Sequence, residues 1–216
     1  MGQTATEQNY LKAICKLSEL DVIVSTSDLA NELKTTPASV TDMIKKLSEK
    51  GWIQHQPYKG VKLSSEGRKI AMGIIRKHRL WEVFLVEKLK FSWDEIHEIA
   101  EQLEHIESDE LIRKLDVFLD RPKFDPHGDP IPDEKGKILQ RPTRLLSSLA
   151  ALEKGELAGV LNHTPDFLQY LNKQGLTLGS RIQVLEILPF DQSIRLKVDK
   201  KQIQVSPAVS HFLLVI

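Results

Sequence analysis

Apolar side chains recur three and four positions apart over residues 7–20, at Tyr10, Leu11, Ile14, Leu17 and Leu20, the stripe of an amphipathic helix. Ser25, Thr26 and Ser27 then offer N-caps for a short second helix whose inward positions are Leu29, Ala30 and Leu33. A third helix opens where Thr35-Thr36 precedes Pro37, since the first helical turn has no use for the N–H that proline lacks. It carries Val40, Met43, Ile44 and Leu47 on one face and stops at Gly51. Two short runs flank Tyr58-Lys59-Gly60 and predict a β-hairpin. The helical period returns in a long helix over 65–90, in another from Trp93 to about residue 106, and in a third from Ser108 to about residue 119.

The texture then changes twice. Residues 121–143 hold five of the ten prolines and predict an extended linker. Beyond it, short apolar and alternating runs at 157–161, 181–188, 193–198 and 202–206, with one brief helix over PDFLQYLNKQG, predict a small β-rich domain closed by the tail HFLLVI. The fold class is mainly α with β. Its expected parts are residues 1–70 for the three helices and hairpin, 71–122 for the helical middle, 123–143 for the linker and 144–216 for the β-rich domain.

Composition adds little until it is read by segment. With 41% hydrophobic and 28% charged residues the chain is ordinary soluble globular material. No window approaches the ~18 unbroken apolar residues of a membrane span. A polar N-terminus without an apolar signal core, and one cysteine, Cys15, point to the cytoplasm and to no membrane partner. The net charge of zero hides an asymmetry: residues 34–69 hold eight basic residues against three acidic, whereas 76–120 hold seven against twelve. Segregated charge implies segments that meet different partners.

Three helices followed by a hairpin is the order of a winged helix-turn-helix. The third helix places Thr36, Ser39, Thr41 and Asp42 early, where small polar groups can approach base edges in a major groove. Lys45, Lys46 and Lys50 follow, and the hairpin adds Lys59 and Lys62; these cations suit DNA phosphates. A protein–protein helix-turn-helix is the competing reading, and the basic surplus argues against it.

The next helices carry a second chemistry. His78 and Glu82 share a helical face, and His97, Glu101, Glu104 and His105 share another within an arc of roughly 100° at about 100° per residue. Imidazoles and carboxylates without thiolates suit borderline-hard divalent ions such as Mn2+ or Fe2+ rather than structural zinc. No nucleophile motif, P-loop or dinucleotide fingerprint is present, so no enzyme activity, catalytic residue or small organic substrate is expected. A metal-buffering or trafficking protein that uses its helix-turn-helix only to oligomerise is the alternative, and a metal-dependent hydrolase comes third.

The combination of a winged helix with the wing PYKGVKLSSEG, KHRL with Glu82, HEIAEQLEH, SDEL and DPHGDPIP resembles the metal-dependent repressors of the diphtheria-toxin-repressor and manganese-transport-regulator family. The likeness runs through the β-rich end, which is similar to the SH3-like domain of three-domain members. It implies a homodimer with a helical dimerisation domain, bound to palindromic double-stranded DNA operators and controlling metal-homeostasis genes. Mn2+ is the favoured cofactor, with Fe2+ second. The resemblance assigns His78, Glu82 and His97 to one metal site and Glu101, Glu104 and His105 to another, completed from the first helix at Asn9. Iron-type members place Met at that position and manganese-type members Asp. Glu101 matches the manganese type, whereas His97 matches the iron type and Lys12 stands where a manganese-type member has a ligating Glu. The SH3-like domain of the family adds two ligands to the first site, which fall here on His163 and Asp166. His127 in the DPHG turn is expected to be structural.

Overall fold

The computed structural model describes residues 3–18, 22–56 and 59–216. The chain divides into two compact units: Met1–His78 with Glu101–Ile112 and Pro132–Ile138, and Arg79–Ala100 with Arg113–Ile131 and Leu139–Ile216. Leu20 and Tyr58, on which parts of the first helical stripe and the hairpin turn rest, lie outside the described residues.

The first unit is built on α1 (Ala5–Leu17), α2 (Thr26–Glu32), α3 (Pro37–Glu49) and the hairpin β1 (Ile53–Gln56) and β2 (Gly60–Leu63). Each helix starts where the sequence offers a cap. Thr4 accepts from the Glu7 N–H while the Glu7 carboxylate accepts from the Thr4 N–H, a reciprocal capping box. Ser25 caps α2, and Thr36 caps α3 ahead of Pro37 in its first turn. The apolar stripes converge: Leu11, Ile14, Leu29, Val40, Leu47 and Val61 are fully buried together. The hairpin is antiparallel with Ile53 opposite Leu63, and Val24 pairs with Val61, which ties the wing to the entry of α2.

α4 (Ser65–Glu87) contributes to both units, and α5 (His97–Leu103) and α6 (Asp109–Phe118) follow it. α5 is shorter than the periodicity predicts. The Ser92 N–H bonds the Glu95 carboxylate, the Asp94 carboxylate accepts from the Ser92 hydroxyl, and Trp93 Nε1 donates to Asn172 Oδ1 at 2.9 Å. These side-chain bonds hold residues 92–95 in a turn in competition with helix. At its other end the helix stops at Leu103, so Glu104 and His105 sit in a turn instead of on the helical face.

In the second unit the β-rich domain forms one antiparallel sheet in the order β3-β8-β4-β5-β6-β7. Its strands are β3 (Arg144–Leu145), β4 (Lys154–Val160), β5 (Arg181–Ile187), β6 (Ile194–Val198), β7 (Lys201–Val205) and β8 (Leu213–Val215). The apolar tail is thus strand β8, inserted between β3 and β4. Helix α7 (Pro165–Gln174) packs Leu168 and Leu171 onto a core of Leu157, Val184, Leu196, Val205 and Leu213, and α8 (Pro207–Ser210) precedes the last strand. This is the SH3-like domain. Residues 123–143 depart from the expected linker: they bury Asp125, His127 and Ile131, and Phe124 bridges Pro130. Proline here fixes tight turns, because the carboxylates of Asp125 and Asp133 each collect two backbone N–H groups. Among the described residues no helix is long and apolar enough to cross a membrane.

Candidate functional site

In the first unit, α1 presents Gln8 and Lys12 to the segment that carries Glu101, Glu104 and His105. Lys12 Nζ lies 2.5 Å from Glu101 Oε1 and 2.7 and 2.8 Å from the two oxygens of Glu104. Glu104 is completely buried, and its Oε2 is also 2.7 Å from His78 Nδ1. His105 Nδ1 lies 2.6 Å from Gln8 Oε1, and the buried Asn9 Oδ1 has no hydrogen-bond partner. Two carboxylates and two imidazoles thus converge on a position where a cation, the Lys12 ammonium, already sits. An unsatisfied buried carbonyl oxygen costs free energy unless something donates to it or is ligated by it. The donor set fits a divalent ion.

In the second unit a different cluster forms. Glu82, Asp125 and His127 are all buried, and one ligand atom from each lies within 4.8 Å of the others. His97, largely exposed, places Nδ1 3.7 Å from Glu82 Oε1, and His127 Nδ1 is 3.7 Å from Glu82 Oε2. His163 stacks on His127 with ring centroids 4.7 Å apart. Both rings are anchored through Nε2, His127 to the Trp93 carbonyl at 2.9 Å and His163 to the Val160 carbonyl at 3.0 Å. A carbonyl can only accept, so Nε2 carries a proton, and in the neutral ring Nδ1 offers a lone pair, the arrangement that orients metal-binding histidines.

The charges explain the titration. Burial, together with the carboxylates of Glu82 and Asp129, pushes Asp125 up to about 7 against the opposing pull of Arg79. Burial disfavours the charged form of His127, but Glu82 and Asp125 outweigh it and hold the imidazole above its usual range. For His163 burial wins, helped by His127, and its range falls. Arg79 secures the turn, with Nε 3.4 Å from Asp125 and NH2 3.0 Å from Asp129. Gly128 completes it: at φ +91° a side chain is strained, and a Cβ there would stand 2.2 Å from the Ala158 carbonyl oxygen.

Compared with the grouping drawn from the sequence, the donors are sorted differently. His78 shares Glu104 with the first-unit set, while Glu82 joins Asp125 and His127. His127, expected to be structural, is a member of the cluster, and Asp125 was not anticipated at all. An Asp-x-His pair inside a proline turn is a readable signal, but it gains meaning only once Glu82 is beside it. Of the two residues assigned to the SH3-like domain, His163 reaches the cluster. Asp166 is exposed in the first turn of α7, where a carboxylate complements the helix dipole.

The predicted DNA face also divides. Asp42 and Lys45 are exposed on α3, Lys59 is exposed and Lys62 half-buried on the wing. Thr36 and Thr41 are occupied locally, Thr36 as the cap and Thr41 bonding the Pro37 carbonyl at 2.9 Å; Ser39 bonds Thr36. Lys46, still exposed, and the half-buried Lys50 pair with α1: their ammonium groups lie 3.0 and 2.7 Å from the fully buried Glu7 carboxylate, and Lys50 also covers Trp52. Burial opposes ionisation of Glu7, yet Lys50, the Thr4 N–H and Lys46 together hold its carboxyl down at about 2. Cys15 packs against the first-unit core.

Three family models match the chain end to end: the N-terminal DNA-binding domain of iron-dependent repressors over residues 3–61, their metal-binding and dimerisation domain over 64–133, and the FeoA domain over 144–216. The iron-dependent repressor IdeR of Mycobacterium leprae is 31% identical over 127 residues, which is 59% of this chain and 55% of that protein, so the match spans about half the relative's length. The diphtheria toxin repressor of Corynebacterium diphtheriae is 25% identical over 219 residues, covering 95% of this chain and 94% of its own. Among solved structures, a manganese-dependent transcriptional repressor in complex with manganese is 34% identical, superposes with a TM-score of 0.85 and covers 97% of this chain and 99% of its own. All three relatives are repressors, and two carry a metal dependence, on iron or on manganese, in their names. With the winged helix, the carboxylate–imidazole clusters and the SH3-like domain all in place, the chain belongs to the iron-dependent repressor family.

Proposed function

We propose that this protein is a divalent-metal-activated transcriptional repressor of the cytoplasm that binds palindromic operators as a homodimer and controls metal-homeostasis genes. One observation carries the reading: α1 belongs to the winged helix, and its Gln8 and Lys12 bond directly to a cluster formed by His78, Glu101, Glu104 and His105. Asn9, Glu101, Glu104 and His105, with His78 beside them, would hold the activating ion. Glu82, Asp125, His127 and His163, with His97 at the edge, would hold a second. A bound divalent ion supplies positive charge that gathers these donors. Mn2+ suits the site better than Fe2+ because Glu101 is a hard carboxylate and no thiolate competes.

The chain's own residues do the rest. α1 is packed against α2 and α3, so a change in how its inner face is held is a change in how the recognition helix is held. Lys45, Lys59 and Lys62 contact phosphates, and Ser39 and Asp42 stand where α3 meets base edges. Val117 and Phe118, 60% and 62% exposed on α6, offer the apolar surface a homodimer would bury. The test is fluorescence anisotropy with duplex DNA from metal-transport promoters, titrated with Mn2+, Fe2+ and Zn2+ in turn. Tight binding only with metal, strongest with Mn2+, is expected. Equal affinity with and without metal overturns the reading.

A further inference from the structure

The ammonium of Lys12 makes three contacts with carboxylate oxygens, and an ammonium has three protons to give. Its donor capacity is therefore fully used on Glu101 and Glu104. Glu104 is buried without exposure, and Lys12 is one-fifth exposed. The second oxygen of Glu104 is engaged by His78 as well, at 2.7 Å. Two carboxylates, one with no access to water, would repel each other and carry a large desolvation cost if no cation stood between them. Lys12 is that cation. It comes from α1, whereas the acids come from the segment 89 and 92 positions further along the chain.

From this we propose that Lys12 is a tethered competitor for the metal: it holds the Glu101–Glu104 pair when no ion is bound and withdraws when one enters, and so sets the metal threshold of the site. The inference rests on the metal reading above. Its logic is exchange. The oxygens a divalent ion needs are the oxygens Lys12 occupies, and a metal–oxygen bond of about 2.0–2.2 Å leaves no room for an ammonium on the same lone pairs. Like charges also exclude each other, so ammonium and ion do not share the pocket in a buried setting. The competitor is part of the chain, so its effective concentration is fixed and does not dilute. Affinity is lowered by a set factor. The consequence extends past affinity, because the side chain that must withdraw belongs to the winged-helix unit, and its release frees α1 from one attachment as the ion supplies another. Lys12 is thus a positioning residue.

The experiment uses the full-length protein without DNA. Mn2+ binding is measured by electron paramagnetic resonance and by calorimetry for native protein, Lys12→Met and Lys12→Arg, all in a His127→Gln background that disables the other cluster. Lys12→Met should bind Mn2+ at least about tenfold more tightly than native, while its metal-free form melts at lower temperature and regains stability on adding Mn2+. Lys12→Arg, whose guanidinium keeps the charge, should show no such gain. Should Lys12→Met prove poorly folded without metal, acylation of Lys12 in the native chain, followed by mass spectrometry, supplies the second measurement: Mn2+ should speed its labelling several-fold. Native protein that binds Mn2+ while Lys12→Met binds no more tightly and labelling of Lys12 is unchanged would overturn the competitor and leave the metal reading standing. Absence of Mn2+ binding in all three proteins would overturn both.

Discussion

Among the described residues, the Lys12–Glu101–Glu104 cluster of the first unit and the Glu82–Asp125–His127 cluster of the second use the same donor types and balance their charge by different means. In the first unit the carboxylates of Glu101 and Glu104 are neutralised by a flexible lysine on α1. In the second, Glu82 and Asp125 face each other with Arg79 on one side, imidazoles locked to backbone carbonyls on the other, and Asp125 raised toward neutrality. A long side chain can leave; a turn built from backbone hydrogen bonds stays. The first cluster is therefore suited to switching, since its state alters what holds α1. The second, held by backbone hydrogen bonds, is suited to permanence. Coupling between two sites requires an element with two arrangements, which the proposed exchange of Lys12 for an ion would give the first cluster.

The strongest way to break this comparison is to remove one ligand from each cluster. Glu104→Ala should abolish the metal response, an operator-affinity loss of about 100-fold at saturating Mn2+, near the upper end of allosteric coupling. His127→Ala should cost far less DNA affinity while lowering the amount of Mn2+ bound. Anisotropy and sedimentation, the latter to verify an intact dimer, measure both. A native-like response in Glu104→Ala with loss in His127→Ala would reverse the ranking.

Permanence of the second cluster can be tested at its turn. Gly128→Ala forces a Cβ toward the Ala158 carbonyl in a backbone region alanine resists. It should destabilise the protein by about 2 kcal/mol and weaken Mn2+ binding in the second unit alone. Thermal melting with metal counting checks this.

The attachment of α1 to the recognition helix is probed through Glu7. Its folded carboxyl titrates near 2 and its ordinary value is 4.5, so its stabilising contribution is complete above about 4.5 and is lost as pH falls from there toward 2. Native protein should exceed Glu7→Gln in stability by about 2 kcal/mol at neutral pH, the gap closing by about pH 2. Denaturant titrations across that window decide it. A gap independent of pH would mean that the ion pairs contribute nothing.

The smallest effects belong to the DNA face. Removing Lys45, Lys59 or Lys62 should each reduce the slope of log affinity against log salt by about one unit. Lys46 and Lys50, paired with Glu7, should each reduce it by less. Equal slopes for all five lysines would show that the Glu7 pairs dissolve when DNA binds.

Much of this molecule is legible in the chain itself. Thr4 with Glu7, Ser25, and Thr36 with Pro37 start helices by contacts within three residues, and hydrophobic period alone separates the helical units from the strands. The donor types that select a divalent ion are likewise written in the chain, at His78, Glu82, His97, Glu101, Glu104 and His105. Which donors meet is another matter. His78 joins Glu104 across 26 positions, Lys50 joins Glu7 across 43 and Lys12 joins Glu101 across 89. A helical period sorts residues onto faces but says nothing about which faces are brought together, and it failed where side-chain bonds held residues 92–95 in a turn and where α5 stopped at Leu103, before Glu104. Asp125 and His127 lay inside a segment whose prolines read as linker, and packing made it a buried turn that joins Glu82 in a carboxylate–imidazole cluster. Local chemistry is fixed by neighbours in sequence, through caps, turns and periodicity. Charge compensation in a buried site is decided only by the tertiary fold, because a buried carboxylate must find its cation wherever the chain brings one.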